Sequence, residues 1–179
     1  GLVVNGPRRP GRRCHRFRGV STKAAVRSMT PDDLEEVAAL AGKLVRQHMA
    51  FDPQRFLQLV NPEAGYARYF ASELPSEDVL LLVAEAEGRV VGYAYARLEP
   101  RSYNELLDAC GKLHDIYVDE SARGAGVGEA LLREVFARLA AKKAPRVVLL
   151  TAVQNEAAQR LFAKVGFRTT MLELTRELA

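Results

Sequence analysis

The feature that most restricts how this chain can fold is a glycine-rich turn set between a β-rich run and a helical one. Leu113 to Val118 is followed by Arg123-Gly124-Ala125-Gly126-Val127-Gly128, after which Val127, Leu131, Val135 and Leu139 recur on one helical face. A further β-rich run at Arg146–Thr151 completes a strand–helix–strand passage, and strands joined in this way lie parallel with a right-handed crossover. Glycines let the backbone turn tightly and approach a ligand, while the first amides of a helix have no internal partners. A turn of this kind holds phosphate. Arg123 adds a cationic donor fork beside it.

Spacing decides between phosphate ligands. A dinucleotide-binding G-x-G-x-x-G would need glycine at 129 or 131, where the chain has Glu129 and Leu131. A P-loop would need Lys and then Ser or Thr after Gly128, where Glu129 and Ala130 stand. Both nucleotide-binding readings fail.

The remaining chain supplies an α+β domain around that passage. Ala24 to Met29 reads as a short strand. Thr30-Pro31-Asp32-Asp33 has the form of a helix start, and apolar residues from Leu34 to Val45 keep helical spacing to about His48. A second helical region runs from Arg55 to Leu74, broken by Pro62 and ended by Pro75. Val79–Ala86 and Val90–Leu98 form a hairpin around Glu87-Gly88-Arg89. A helix at Asn155–Val165 and a last strand at Phe167–Leu178 complete the order βααβββαβαβ, which implies a mixed sheet flanked by helices.

Composition matters mainly for what it excludes. The longest apolar run, Val79 to Ala84, is far short of a membrane span. The net charge of +4 comes from residues 1–23, which hold seven Arg and Lys and no acid; removing those seven from 26 leaves 19 basic against 22 acidic residues. A basic tail on a mildly acidic body argues against nucleic acid as the partner. Residues 1–23 are therefore read as a basic extension, transit-like or left by cleavage, and 24–179 as one domain. Cys14 and Cys110, far apart and without CxxC spacing, point to free thiols in a reducing, cytoplasmic setting and not to a metal site.

The run Arg123 to Gly128 resembles the R/Q-x-x-G-x-G/A motif of the GNAT acetyltransferases, placed after its expected strand. Asn155-Glu156-Ala157-Ala158-Gln159-Arg160-Leu161-Phe162-Ala163-Lys164-Val165-Gly166-Phe167 is similar to that family's second signature, N-x-x-A-x-x-L-[YF]-x-x-x-G-F. The resemblance covers roughly residues 113–167 and implies a GNAT-like, mostly antiparallel central sheet, acetyl-CoA as cosubstrate with no metal, and acetyl transfer to a primary amine. It also implies a small-molecule or peptide acceptor, and a homodimer as is common in the family. A CoA-binding regulatory or structural relative without turnover is the alternative. On this resemblance the cofactor is held by Ile116, Tyr117 and Val118 of a bulged strand, by Arg123, Gly124, Ala125, Gly126, Val127 and Gly128 of the turn, and by Asn155, Ala158 and Phe162, which share one helical stripe.

An alkyl ammonium near pKa ~10.4 must lose a proton before it attacks a thioester, so a base is needed. His114 and Asp115 are the nearest titratable groups and, in a regular strand, lie on opposite faces. Glu85 on the neighbouring hairpin is a third candidate, acting through water. A covalent route through Cys110 lacks a visible paired base. Phe162 stands where many relatives carry a tyrosine thought to protonate the departing thiolate, so that role is vacant or moved.

Overall fold

The computed structural model describes residues 24–178, so the basic extension and Cys14 lie outside the described residues. Four helices pack on the two faces of a five-stranded sheet of order β1-β2-β3-β4-β5. The strands are β1 (Ala25–Ser28), β2 (Val79–Ala86), β3 (Arg89–Glu99), β4 (Cys110–Val118) and β5 (Val147–Leu149). The helices are α1 (Leu34–Phe51), α2 (Pro62–Glu73), α3 (Val127–Ala141) and α4 (Glu156–Lys164). Strands β1 to β4 pair antiparallel, and β5 joins β4 parallel through the α3 crossover, the α+β, mostly antiparallel architecture expected from the sequence.

Alternation along the strands divides the core into two layers. Leu81, Val83, Tyr93, Tyr95 and Tyr117 face α1 and α2, where they meet Val37, Leu40, Leu44 and Phe70. Leu80, Leu82, Ala84, Ala94, Ala96 and Leu113 face α3 and α4, where they meet Leu131, Val135, Leu139 and Phe162. The hairpin between β2 and β3 turns on Glu87 and Gly88, both at positive φ (53° and 74°), the two-residue geometry that matches strand twist.

Several boundaries differ from the sequence expectation, each for a local reason. Helix α1 continues past His48 to Phe51 and stops where Asp52, preceding Pro53, is extended. The second helix starts at Pro62 and not at Arg55, because Asn61 caps it by accepting from the Ala64 amide, while Asp52 draws the amides of Gln54 and Arg55 into a turn. The stretch 167–178 was expected to be a strand and forms no ladder among the described residues. Phe167 packs on Phe136 and Phe162, but Met171, Leu172 and Leu174 beyond it are exposed. Strand composition favours a pleated, half-buried surface, and this segment has no such surface beneath it. No helix among the described residues is long and apolar enough to cross a membrane.

The entry into α1 rests on one ion-pair network. Arg27 of β1 contacts Asp33 through both terminal nitrogens (2.7 and 2.8 Å) and Glu85 of β2 through Nε and Nη2 (3.0 and 2.8 Å). Asp33 also accepts from the Thr30 amide at 2.7 Å and is the one buried charged residue among those described. The Arg27 guanidinium and the Thr30 bonds hold its carboxyl down at about 2, against a usual 3.8. A depressed carboxylate stabilises the fold above its unfolded pKa, and this contribution is lost as the pH falls through the folded one. Arg27→Met is therefore expected to lower the unfolding free energy by about 2 kcal/mol at neutral pH, from a buried carboxylate left without its cation. In urea titrations the gap to the wild type should narrow between pH 4 and pH 2; a gap independent of pH would contradict this reading.

Candidate functional site

The glycine turn adopts the conformation its sequence requires. Gly124 and Gly126 sit at φ 78° and 80°, and Gly126 is the residue before α3. A Cβ on either would meet nothing within 4 Å, so glycine is needed there for the backbone angle and not for room. Gly128 differs: a Cβ there would lie 3.0 Å from Leu161 Cδ2, so its bareness lets α3 approach α4. The carbonyl of Gly126 accepts from the Ala130 amide at 3.0 Å, while the amides of Val127 and Gly128 belong to the first turn, which has no intrahelical acceptors. Arg123 is tied down beside them. Its Nε donates to the Val118 carbonyl at 3.0 Å, and its guanidinium lies 5.4 Å from the centre of the Tyr117 ring.

Strand β4 leads into this turn with one edge open. It pairs with β3 from Cys110 to Val118, but with β5 only over Gly111–Leu113. The Asp119 amide donates to the Val91 carbonyl, so by alternation the amides of Asp115 and Tyr117 also point at β3. Those of Ile116 and Val118 point at the edge that β5 leaves free. Ile116, Val118, Ala158 and Phe162 belong to the hydrophobic cluster on the α3/α4 side of the sheet. Asn155 caps α4 by accepting from the Ala158 amide at 3.2 Å, and Phe162 is buried against Phe167. Tyr117 is the exception in the expected cofactor set: its backbone is committed to the β3 ladder, and its buried ring faces the α1 side.

The register between β3 and β4 slips once. Tyr95 pairs with Asp115 and Ala96 with Leu113, leaving His114 as an extra residue without a partner. This bulge corrects the expectation that His114 and Asp115 face opposite ways, because one inserted residue puts both on the α1/α2 side. The His114 ring stacks on Tyr95 (centroids 5.0 Å apart, 24° between planes), and its Nε2 lies 2.9 Å from Glu99 Oε1. Asp115 Oδ2 accepts from the Tyr93 hydroxyl at 3.3 Å, with Tyr66 beside it. Burial pushes the Asp115 carboxyl above the usual range, against the opposing bond from Tyr93.

Two open clefts flank this strand. One, of about 670 Å³, lies beside the glycine turn and includes Lys43, Arg46, Tyr117, Asp119 and Arg123. Lys43 and Arg46 lie one helical turn apart on α1 and were not singled out by sequence reasoning, since an exposed cationic pair on a helix carries no spacing signal of its own. Lys43 bonds Asp119 and holds its carboxyl well below the usual range. The other cleft, of about 640 Å³, is lined by Tyr69, Asp78, Tyr95, Arg97, Glu99 and His114 among others. Glu85 is in neither. It sits across from Val90 and Ala25, near the hairpin end of β2, and is engaged by Arg27, whereas Asp115 lies across from Tyr95. Cys110 is buried, and desolvation raises its thiol pKa, so the covalent route finds no support.

The glycine turn with Arg123 and the helix capped by Asn155 carry the two acetyltransferase motifs met in the sequence. The acetyltransferase (GNAT) family model matches residues 46–167. The chain belongs to the GNAT acetyltransferase family. An uncharacterized N-acetyltransferase of Mycobacterium tuberculosis is 32% identical over 139 residues, covering 76% of this chain and 83% of the relative. Among solved structures, a tetramutant of the BH1408 protein from Bacillus halodurans superposes with a TM-score of 0.75 at 22% identity, covering 86% of this chain and 99% of the other. The aminoglycoside N-acetyltransferase AAC(6')-Iy in complex with CoA gives a TM-score of 0.66 at 20% identity, covering 87% and 99%. At these identities the two structures speak for the fold.

Placement decides the fate of the third base candidate. Glu85→Gln is expected to leave kcat/KM for any amine that the wild type acetylates within about threefold, since the residue lies outside both clefts. The same change should lower the melting temperature by weakening the Arg27 network. A loss beyond about a hundredfold in a folded variant would return Glu85 to the chemistry.

Proposed function

We propose that this GNAT-family protein transfers the acetyl group of acetyl-CoA to a primary amine by direct attack within a ternary complex. The observation that carries this reading is the unpaired β4 edge at Ile116 and Val118, which runs into the positive-φ turn Gly124–Gly126. An extended amide-bearing arm ending in a pyrophosphate is the ligand such a combination fits. The edge offers the amides of Ile116 and Val118 and the Ile116 carbonyl to the arm, the Val118 carbonyl being held by Arg123, and the first amides of α3 with the Arg123 terminal nitrogens receive the phosphates. Acetyl-CoA supplies a thioester, and an edge amide near the bulge can donate to its carbonyl oxygen as charge develops there. The acceptor amine enters by the 640 Å³ cleft on the α1/α2 face, where His114 is the candidate base that lines it and Asp115 is a second candidate on the same face outside that lining.

Phe162 has no proton to give, and acetyl transfer does not require one there. A thiol of pKa near ~8.5 released as thiolate at neutral pH forgoes roughly 2 kcal/mol, small against the ~8 kcal/mol or more that enzymes commonly remove from a barrier. Phe162 acts as an apolar wall on the α4 side of the edge. Phe162→Leu is expected to keep kcat within about tenfold; a folded, acetyl-CoA-binding variant that loses more than about a thousandfold would contradict the wall.

Two measurements test the reading. Acetyl-CoA should raise the melting temperature more than a phosphate-free pantetheine thioester at equal concentration; equal shifts would refute the phosphate turn. A thiol-release assay across an amine panel should show CoA formation that depends on the acceptor. Binding of acetyl-CoA with no acceptor-dependent release from any amine would favour a regulatory relative without turnover.

A further inference from the structure

The acceptor-side cleft holds a single imidazole, and both contacts that orient it come from β3. His114 is the bulged residue of β4, so no β3 partner fixes its position. Its ring is held instead by the face of Tyr95 and by the Glu99 carboxylate. Tyr95 is itself anchored: its hydroxyl donates to Glu73 at 2.9 Å and meets the Tyr69 hydroxyl at 2.8 Å, while Arg97 donates to the same Glu73 oxygen at 2.8 Å. A chain of contacts thus runs from Arg97 through Glu73 and Tyr95 to His114, and Glu99 closes it from the other side of the ring.

We propose that Glu99 is a positioning residue that fixes His114 as its Nε2–H tautomer, leaving Nδ1 to take the acceptor's proton. The proposal rests on the amine-acetyltransferase reading above. A carboxylate only accepts, so the ring nitrogen 2.9 Å from Glu99 Oε1 must carry the hydrogen. In a neutral imidazole the other nitrogen then holds the lone pair. The groups facing this ring are Tyr95, Arg97 and Glu99 from β3, Tyr69 and Glu73 from α2, Asp78 ahead of β2, and Asp115 from β4. Of these, Glu99 is the one bonded to an imidazole nitrogen among the described residues. Asp115 lies on the same face but points between the Tyr66 and Tyr93 rings, and the cleft is lined by His114 and not by Asp115.

The step balances without any further reactant. The amine nitrogen bonds to the thioester carbonyl carbon, and the carbon–sulfur bond breaks with its electron pair leaving on sulfur. The acceptor ammonium first gives one proton to His114 Nδ1, which passes it to water, and the second proton, lost from nitrogen as the amide forms, leaves by the same Nδ1. The resulting imidazolium sits beside the Glu99 carboxylate and then releases its proton to water.

The test uses the full chain with ¹⁵N-labelled histidine, together with the variants Glu99→Leu, Glu99→Gln and His114→Gln. In the wild type, the His114 nitrogen shifts of the neutral ring should report Nε2 protonated and Nδ1 bare. Glu99→Leu should give a mixture of tautomers and lower kcat by between about 10- and 1,000-fold, with the KM for acetyl-CoA unchanged. Glu99→Gln, whose amide oxygen still accepts, should recover most of that loss and serves as the folding control. A wild-type ring protonated at Nδ1, or a Glu99→Leu enzyme with unchanged tautomer and kcat while His114→Gln is slow, overturns the role of Glu99 and leaves the base assignment standing. His114→Gln with wild-type kcat overturns the base assignment itself. Absence of acetylation of any amine by the wild type overturns the functional reading, and the tautomer measurement still stands apart from it.

Discussion

Everything in this site depends on β5 being shorter than the strand it pairs with. Strand β4 pairs with β3 from Cys110 to Val118 apart from the bulged His114, but with β5 only over Gly111–Leu113. After Leu149 the chain leaves the ladder and is fixed in the approach to α4. Gln159 donates to the carbonyls of Ala152 and Val153, Gln154 reaches the Phe51 carbonyl, and Asn155 caps the helix. These bonds satisfy the Ala152 and Val153 carbonyls and a first-turn amide of α4 away from β4. The freed edge of β4 is followed, after a single 3-10 turn at Glu120–Ala122, by the glycine turn at Gly124 and Gly126.

The bulge at His114 gives the same strand a second use. An unbroken register would send His114 and Asp115 to opposite layers, one among the aliphatic side chains beneath α3 and α4. Inserting one residue keeps Leu113 and Ile116 in that layer while turning both titratable groups toward the tyrosines of the α1/α2 side. The edge and the face of β4 therefore present different groups: backbone amides of Ile116 and Val118 on one, side chains of His114 and Asp115 on the other. Phe70 of α2, packed edge to face on Tyr93 and Tyr95 of β3, holds that second surface in place.

The parts of this arrangement that were legible in the sequence are those with local causes. The glycine turn at Gly124 and Gly126, the helix entry at Thr30-Pro31 and the hairpin turn at Glu87-Gly88 each follow from residue types acting on their own backbone, whereas Pro62, read as a break inside a helix, is the start of α2. Long-range pairing was not legible. Nothing in Leu113–Val118 says where its register will slip against β3, so the shared face of His114 and Asp115 could not be read. Nor does Glu99, fifteen positions before His114, announce that it will meet the imidazole. Glu85 looked available because its partner Arg27 lies 58 residues away. The segment 167–178 has the composition of a strand, but a strand also needs a neighbour, and composition does not provide one.

Amide hydrogen exchange read residue by residue tests the central claim most directly. If the free β4 edge receives the cosubstrate, the amides of Ile116 and Val118 should exchange quickly in the free protein and slow by at least about tenfold when acetyl-CoA saturates it. The amide of Tyr117, already committed to β3, should be slow in both states apart from any general stabilisation. Protection of Tyr117 alone, or unchanged rates at Ile116 and Val118 in a protein that demonstrably binds acetyl-CoA, would contradict the account.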